Sequence, residues 1–143
     1  MILRQGLRFA RFNVVGLLGA GVQLLAFSLL LRASHLRPAE AAPIAVEIAV
    51  LHNFVWHERF TWRDREPANW RRIAGRLGRF HAANGLISVF GNLAVTYCLV
   101  EWLGAPALLS AVAAIGVCTP ANFLAADRWV YAPECARRLR PSR

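Results

Sequence analysis

A chain of 143 residues has room for about one domain, and at 57% hydrophobic, with a mean hydropathy of +0.38, this one is too apolar for an ordinary soluble fold of that size. Its net charge of +9 comes from 17 basic residues, all arginine, which alternate with apolar runs; that spacing excludes a nucleic-acid patch as the source of the charge. Four apolar runs, each near the length that crosses a bilayer core of about 30 Å, predict an all-α, multi-pass membrane protein with four transmembrane helices.

The first run, Phe12 to Leu31, follows Arg4, Arg8 and Arg11 and contains Asn13, Gln23 and Ser28. It is longer than a signal-peptide core of about 7–15 residues and no small-residue cleavage site follows, so it reads as a retained helix. Gly16, Gly19, Ala20 and Gly21 leave part of its surface small, a feature compatible with a homo-oligomer. The second run, Pro38 to Trp56, is the weakest, because it carries Glu40, Glu47, His52 and Asn53. A basic segment over 63–78 separates it from the third run. Within that segment Trp70, Ile73 and Leu77 stand among arginines, which fits either a short amphipathic helix on an anionic leaflet or a plain positively charged loop. The third run, Ala82 to Val100, holds Asn84, Ser88, Asn92 and Thr96, and the fourth, Ala105 to Ala126, is broken by Pro120 and Asn122. A basic tail over 132–143 closes the chain.

Of the 17 arginines only Arg32 and Arg37 lie in the connection after the first run, and none lies in the connection after the third. By the positive-inside rule the remaining arginines put both termini and the middle segment in the cytoplasm. Cys98 and Cys118 lie inside runs and Cys135 in the tail, with no metal-type spacing. A Gly-rich phosphate loop, paired exposed acids and a Ser/His/Asp set are all missing from the sequence, so no catalytic residue and no cofactor are expected, and the chain is not read as an enzyme.

Shifted against itself by 69 positions, the sequence aligns without a gap over residues 16 to 62. Gly16-Leu17 falls on Gly85-Leu86, Gln23 on Asn92, Asn53-Phe54 on Asn122-Phe123, Glu58-Arg59 on Asp127-Arg128 and Trp62 on Tyr131. Apolar matches are cheap between membrane helices, but a repeated Asn-Phe-x-x-x-acid-Arg-aromatic-x-aromatic ending is not. Repeat 1 covers about 9–62 and repeat 2 about 79–131. Each holds two spans, an even number, so the repeats are expected to be parallel in orientation.

The repeated endings hold most of the polar chemistry. Arg59 and Arg128 can each reach a lipid phosphate from the end of a span, as topological anchors beside aromatic belts (Phe60 and Trp62, Trp129 and Tyr131) or as bidentate phosphate contacts. The neighbouring Glu58 and Asp127 are candidates to orient them. Asn53 and Asn122 lie six residues earlier, on another face of a straight helix, while Asn53 and His57 share one. Glu47, a carboxylate inside a span, suits proton coupling or cation binding; equally, it is a hydrogen-bonded partner of Gln23 or Asn92 between helices.

These residues resemble the GtrA family of small membrane proteins. The resemblance rests on the Arg11-Phe12-x-x-x-Gly16 start, the Asn53 to Trp62 ending, the Arg79-Phe80 start and the Asn122 to Tyr131 ending. Two departures stand out: the first ending reads Arg59-Phe60-Thr61-Trp62, with its aromatics exchanged against the usual Arg-Trp-x-Phe, and the second has Tyr131 for Phe. Gly85 is also one residue further from Phe80 than Gly16 is from Phe12. The resemblance implies a single four-helix domain of the cytoplasmic (inner) membrane that moves or binds a polyprenyl-phosphate-linked sugar, such as an undecaprenyl-phosphate monosaccharide, in cell-envelope polysaccharide synthesis. It implies a polyprenyl-phosphate glycosyltransferase as partner, alongside membrane lipids. On that reading Arg59, Arg128 and Arg79 hold the lipid phosphate, and Asn53, Asn122, Glu47, Gln23 and Asn92 line a polar path. Glu58, Asp127, His57, Trp62 and Trp129 support them. A non-transporting adaptor of the glycosyltransferase and a small cation or drug exporter using Glu47 are the competing readings.

Overall fold

The computed structural model describes residues 2–34, 36–65 and 69–132; the expected basic tail beyond 132, with Cys135, lies outside them. The described residues are all-α, with no strands. The elements are α1 (Ile2–Ala33), α2 (Pro38–Trp56) with a π turn (His57–Thr61), α3 (Trp70–Gly85) with a π turn (Leu86–Gly91), α4 (Asn92–Glu101), and α5 (Ala107–Ala125) with a π turn (Ala126–Val130). Because α3, its π turn and α4 follow one another without a break, they make one long helix, and the described residues contain four helices in all.

Local sequence sets the ends. Pro38 occupies the first turn of α2, where its missing N–H costs nothing, and the Arg37 backbone N–H donates to Glu40 Oε2 at 2.8 Å. Asn69 caps α3 by accepting from the Arg72 N–H at 3.0 Å. The end of α4 is closed by Gly104, whose φ of 62° allows Gly104 N–H to reach Val100 O and Ala105 N–H to reach Leu99 O, both at 3.1 Å.

Three helices are long and apolar enough to cross a membrane, Leu3–Ala33, Trp70–Glu101 and Leu108–Val130. The second predicted span is not among them, since Glu40, Glu47, His52 and Asn53 lower the hydropathy of α2. A second difference concerns the basic segment. Trp70, Ile73 and Leu77 belong to the first turns of the long third helix and form no separate surface helix, because no proline interrupts the backbone between them and the apolar run beyond Phe80.

The chain divides into two compact units between Asp64 and Arg65. In the first, α2 packs on α1 through Ala41, Ala45 and Ala49, with Val15 and Gly19 buried on α1. In the second, α5 packs on the α3–α4 helix, burying Ser110, Ala114 and Cys118. Positions 41, 45 and 49 become 110, 114 and 118 on adding 69, so one stripe of small side chains recurs at the sequence offset. Small residues suit membrane packing because lipid is as apolar as leucine, and close contact rather than water exclusion draws such helices together. At Gly91 a Cβ would lie 2.9 Å from Cys118 Sγ. Leu17, Leu24, Leu93 and Leu108 remain exposed on the outer faces, where a bilayer would solvate them.

Candidate functional site

Both repeated endings fold into the same device. His57–Thr61 and Ala126–Val130 are π turns at positions related by 69, closed by Trp62 N–H to His57 O at 2.9 Å and Tyr131 N–H to Ala126 O at 2.8 Å. A π turn holds more residues than an α turn and re-aims those that follow. Here His57, Thr61 and Trp62 turn inward, as do Ala126, Val130 and Tyr131, while Arg59, Phe60, Arg128 and Trp129 stay exposed. The sequence reading placed both aromatics of each ending at the membrane surface. The structure exposes only the first of each pair: Trp62 is 2% and Tyr131 1% accessible, against 37% for Phe60 and 44% for Trp129.

The inward groups of the first unit form an aromatic cluster. Phe12 stacks on His57 with centroids 4.8 Å apart, Trp62 sets its edge against both rings, and His57 Nδ1 lies 3.0 Å from Thr61 Oγ1. The cluster ties the first turns of α1 to the end of α2.

One helical turn deeper, each asparagine docks on the first helix of its own unit. A Cβ at Gly19 would overlap the Asn53 amide, so only glycine lets that side chain lie where it does. At the positions offset by 69, Asn122 Nδ2 donates to Ser88 Oγ at 3.0 Å. Ser88 also reaches Asn84 Oδ1 at 3.4 Å, and Asn92 Nδ2 donates to Ser88 O at 2.7 Å. Asn92 and Asn122 of the predicted polar path are therefore brought together around Ser88, while Asn122 Oδ1 is buried with no hydrogen-bond partner. Gln23 is half-buried on α1. Glu47 is exposed, roughly 200° around α2 from Ala45 and Ala49, so the structure does not bring it onto the face that carries Asn53.

Neighbouring side chains on a helix diverge, so an acid beside an arginine is free to pair across to another element. Asp127 pairs with Arg65 at 3.0 Å, both side chains less than one-fifth exposed. In the first unit Arg8 pairs with Asp64 at 2.6 Å.

Arginines gather elsewhere, in two clefts that the sequence reading missed except for Arg79. The first, of about 210 Å³, is lined by Arg4, Leu7, Arg8, Arg11, Thr61, Arg63 and Asp64. The second, of about 270 Å³, is lined by Asn69, Arg71, Arg72, Gly75, Arg76, Arg79 and Ala132. Each joins the opening turns of its unit's first helix to the segment just past the terminal π turn. Arg59 and Arg128 line neither. Stacking helps to orient the guanidiniums: Arg11 lies over Phe60 at 5.2 Å, Arg76 over Tyr131 at 5.9 Å and Arg71 over Trp70 at 5.4 Å. The legible signal was Arg-x-x-x-Arg-x-x-Arg-Phe, present at both 4–12 and 72–80. It was hidden because these segments align at an offset of 68 while everything beyond Gly16 aligns at 69.

Residues 11–131 match the family described as GtrA/DPMS, transmembrane domain. The chain belongs to the GtrA/DPMS transmembrane family. A search of curated proteins finds no match. The GtrA/DPMS match runs from Arg11 of the first cleft to Tyr131 at the end of the last π turn, so it takes in both asparagine docks, all three π turns and most of the second cleft's lining.

Proposed function

We propose that this GtrA/DPMS-family chain binds a polyprenyl-phosphate-linked sugar and carries it across the cytoplasmic membrane for cell-envelope polysaccharide synthesis, without catalysis of its own. The observation that carries this reading is the pair of arginine-lined clefts, each opening beside the end of a long apolar helix. A polyprenyl phosphate needs apolar surface for its chain and guanidinium for its headgroup, and the two adjoin here. The two-helix units are read as parallel repeats with both termini in the cytoplasm, the side to which the positive-inside rule assigns the arginines. Arg59 and Arg128, exposed beside Phe60 and Trp129, then meet headgroups at that surface, and Arg79 meets the phosphate inside its cleft. Asn122, Asn92 and Asn53, with Gln23 and Glu47, supply polar groups deeper in the spans.

The test uses proteoliposomes loaded with a polyprenyl-phosphate monosaccharide, following exposure of the sugar to an impermeant glycan-modifying reagent. Time-dependent exposure that needs the protein, and that falls in Arg59→Ala/Arg128→Ala, is expected. Exposure equal to that of empty vesicles would refute transport. Co-purification with a polyprenyl-phosphate glycosyltransferase in that event would favour the second reading, a membrane adaptor, which the joint GtrA and DPMS description of the family also suits.

A further inference from the structure

The asparagines of the two repeated endings differ in what completes their hydrogen bonding. In the first unit His52 Nδ1 lies 3.3 Å from Asn53 Oδ1, in reach to donate when that nitrogen carries the proton. In the second unit the residue at 121 is alanine, and Asn122 Oδ1 is buried with no donor among the described residues. Turning the amide over does not help, since Ser88 Oγ can pair with either end and the other end is then left over. The helix on which Asn122 docks is also peculiar to the second unit. Asn84, Ser88, Asn92 and Thr96 follow one another at four-residue steps along the α3–α4 helix, and all four are half-buried. They cover about 18 Å of a hydrocarbon core of about 30 Å. A π turn winds more residues into each turn, so four-residue steps across Leu86–Gly91 drift less than in an α-helix and the polar side chains stay in line. The positions 69 earlier than 88, 92 and 96 are Gly19, Gln23 and Phe27, so the first unit has no such track.

We propose that the second unit carries the sugar site: a neutral sugar docks on the polar track of Asn84, Ser88, Asn92 and Thr96, and one of its hydroxyls donates to Asn122 Oδ1. Asn122 as a whole is only half-buried, so a small turn of its side chain presents that oxygen at the edge of the seam between the α3–α4 helix and α5. Packing alone would pair every buried polar group there, as His52 does for Asn53, and leaves the Asn122 oxygen unexplained. Amides and hydroxyls exchange hydrogen bonds with hydroxyls, and none of these five side chains carries charge. A charged sugar at that depth would meet no counter-charge on the track, and burying a charge in that way is far costlier than burying a hydrogen-bonded hydroxyl. That the hydroxyls belong to a lipid-linked sugar rests on the proposed function; the demand for a neutral donor rests on the seam alone.

The experiment titrates the full chain in nanodiscs with dodecyl glucoside, a neutral sugar on an alkyl chain, and separately with dodecyl glucuronide, its carboxylate analogue, counting bound ligands by native mass spectrometry. One glucoside per chain is expected, with the glucuronide bound roughly tenfold more weakly or worse. Asn92→Leu and Thr96→Val, which keep the side chain's approximate volume and remove its hydrogen bonding, should each weaken the glucoside by roughly three- to tenfold. Ala121→His, at an exposed position, copies the first unit and gives Asn122 a donor of its own, so it should weaken the glucoside by as much. Ser28→Ala, on α1 of the other unit, should change nothing. Equal binding of the two probes, no glucoside on the unaltered chain, or undiminished binding to both Thr96→Val and Ala121→His would overturn the proposal. Glucoside bound as expected, but with no movement of sugar in the vesicle assay, would leave this site standing and remove only the transport reading. Sugar moved as well by Asn92→Leu and by Ala121→His as by the unaltered chain would keep transport and remove this site.

Discussion

Asn53 lies with its side-chain amide against Gly19, at a spot where any Cβ would overlap it. The same two positions in the second half, 88 and 122, hold a serine and an asparagine joined by a hydrogen bond. One asparagine therefore docks on bare backbone and the other on a hydroxyl, a chemical difference at a shared location. Gly19→Ala should destabilise the first unit by about 1–3 kcal/mol, the usual cost of overpacking. Asn53→Ala in the same chain should recover most of that loss, because it removes the overlapping amide. Ser88→Gly should cost less, about 0.6–1.7 kcal/mol, the range for interhelical hydrogen bonds in membranes. Thermal unfolding in detergent of the single and double variants gives the coupling energy, and simple additivity of Gly19→Ala and Asn53→Ala would contradict the contact.

Trp62 and Trp129 look alike in sequence, each an aromatic of an Asn-to-aromatic ending, yet one is a core residue and the other faces outward. Trp62 sets its edge against Phe12 and His57 and is 2% accessible. Trp62→Ala should lower stability by roughly 3–5 kcal/mol, the range for emptying a large aromatic site. Trp129→Ala should stay within about 0.5 kcal/mol. Unfolding midpoints of the two variants in the same detergent check this, and equal losses would mean that Trp129 is packed as well.

That contrast marks what the sequence could and could not show. The all-α class and the apolar runs of the first, third and fourth helices follow from composition and are found where they were read, while the second run, Pro38–Trp56, forms a helix that falls short of a span. The π turns are not legible in that way, since a shift of the hydrogen bond from i−4 to i−5 changes no residue type. Their one trace was the extra residue between Phe80 and Gly85 relative to Phe12 and Gly16. Missing the turns at 57–61 and 126–130 put Trp62 and Tyr131 on the wrong face. Missing the continuity of α3 into α4 left Arg72 and Arg76 as charge of the basic segment, with only Arg79 singled out, instead of three residues on one wall of a cleft.

The two ion pairs should differ in weight, although both join an arginine to an aspartate. Arg65 and Asp127 are less than one-fifth exposed, whereas the Asp64 side chain is 58% exposed. Asp127→Asn leaves a guanidinium largely out of water without its counter-charge, and should cost about 1–3 kcal/mol, below the 3–5 of a fully buried pair. Asp64→Asn should cost only about 0–1 kcal/mol, because water and salt already screen that pair. Raising the salt concentration should narrow the effect of Asp64→Asn and leave that of Asp127→Asn nearly unchanged. The same salt response in both would show that the Arg65 pair is open to solvent.

The π turn at Leu86–Gly91 is the physical counterpart of the extra residue in the second half. A residue added to a continuous α-helix rotates everything on one side of it by about 100°, which would carry Arg72, Arg76 and Arg79 away from their cleft. A π turn takes up that residue and restores the phase, so the arginine trio and Ser88 each keep the place held by their counterparts on the uninterrupted α1. Deleting Val89, an exposed residue of the turn, should therefore convert it to α-helix and leave the chain folded and monodisperse. Deleting Val14, also exposed but within continuous α1, should swing Arg4, Arg8 and Arg11 off their face and pull Phe12 from His57. The expected readout is an unfolding midpoint for the Val89 deletion within a few degrees of the parent, against a large drop for the Val14 deletion. If the Val89 deletion unfolds the chain as readily as the other, the turn is not a one-residue compensator, and the offset between the two halves needs another cause.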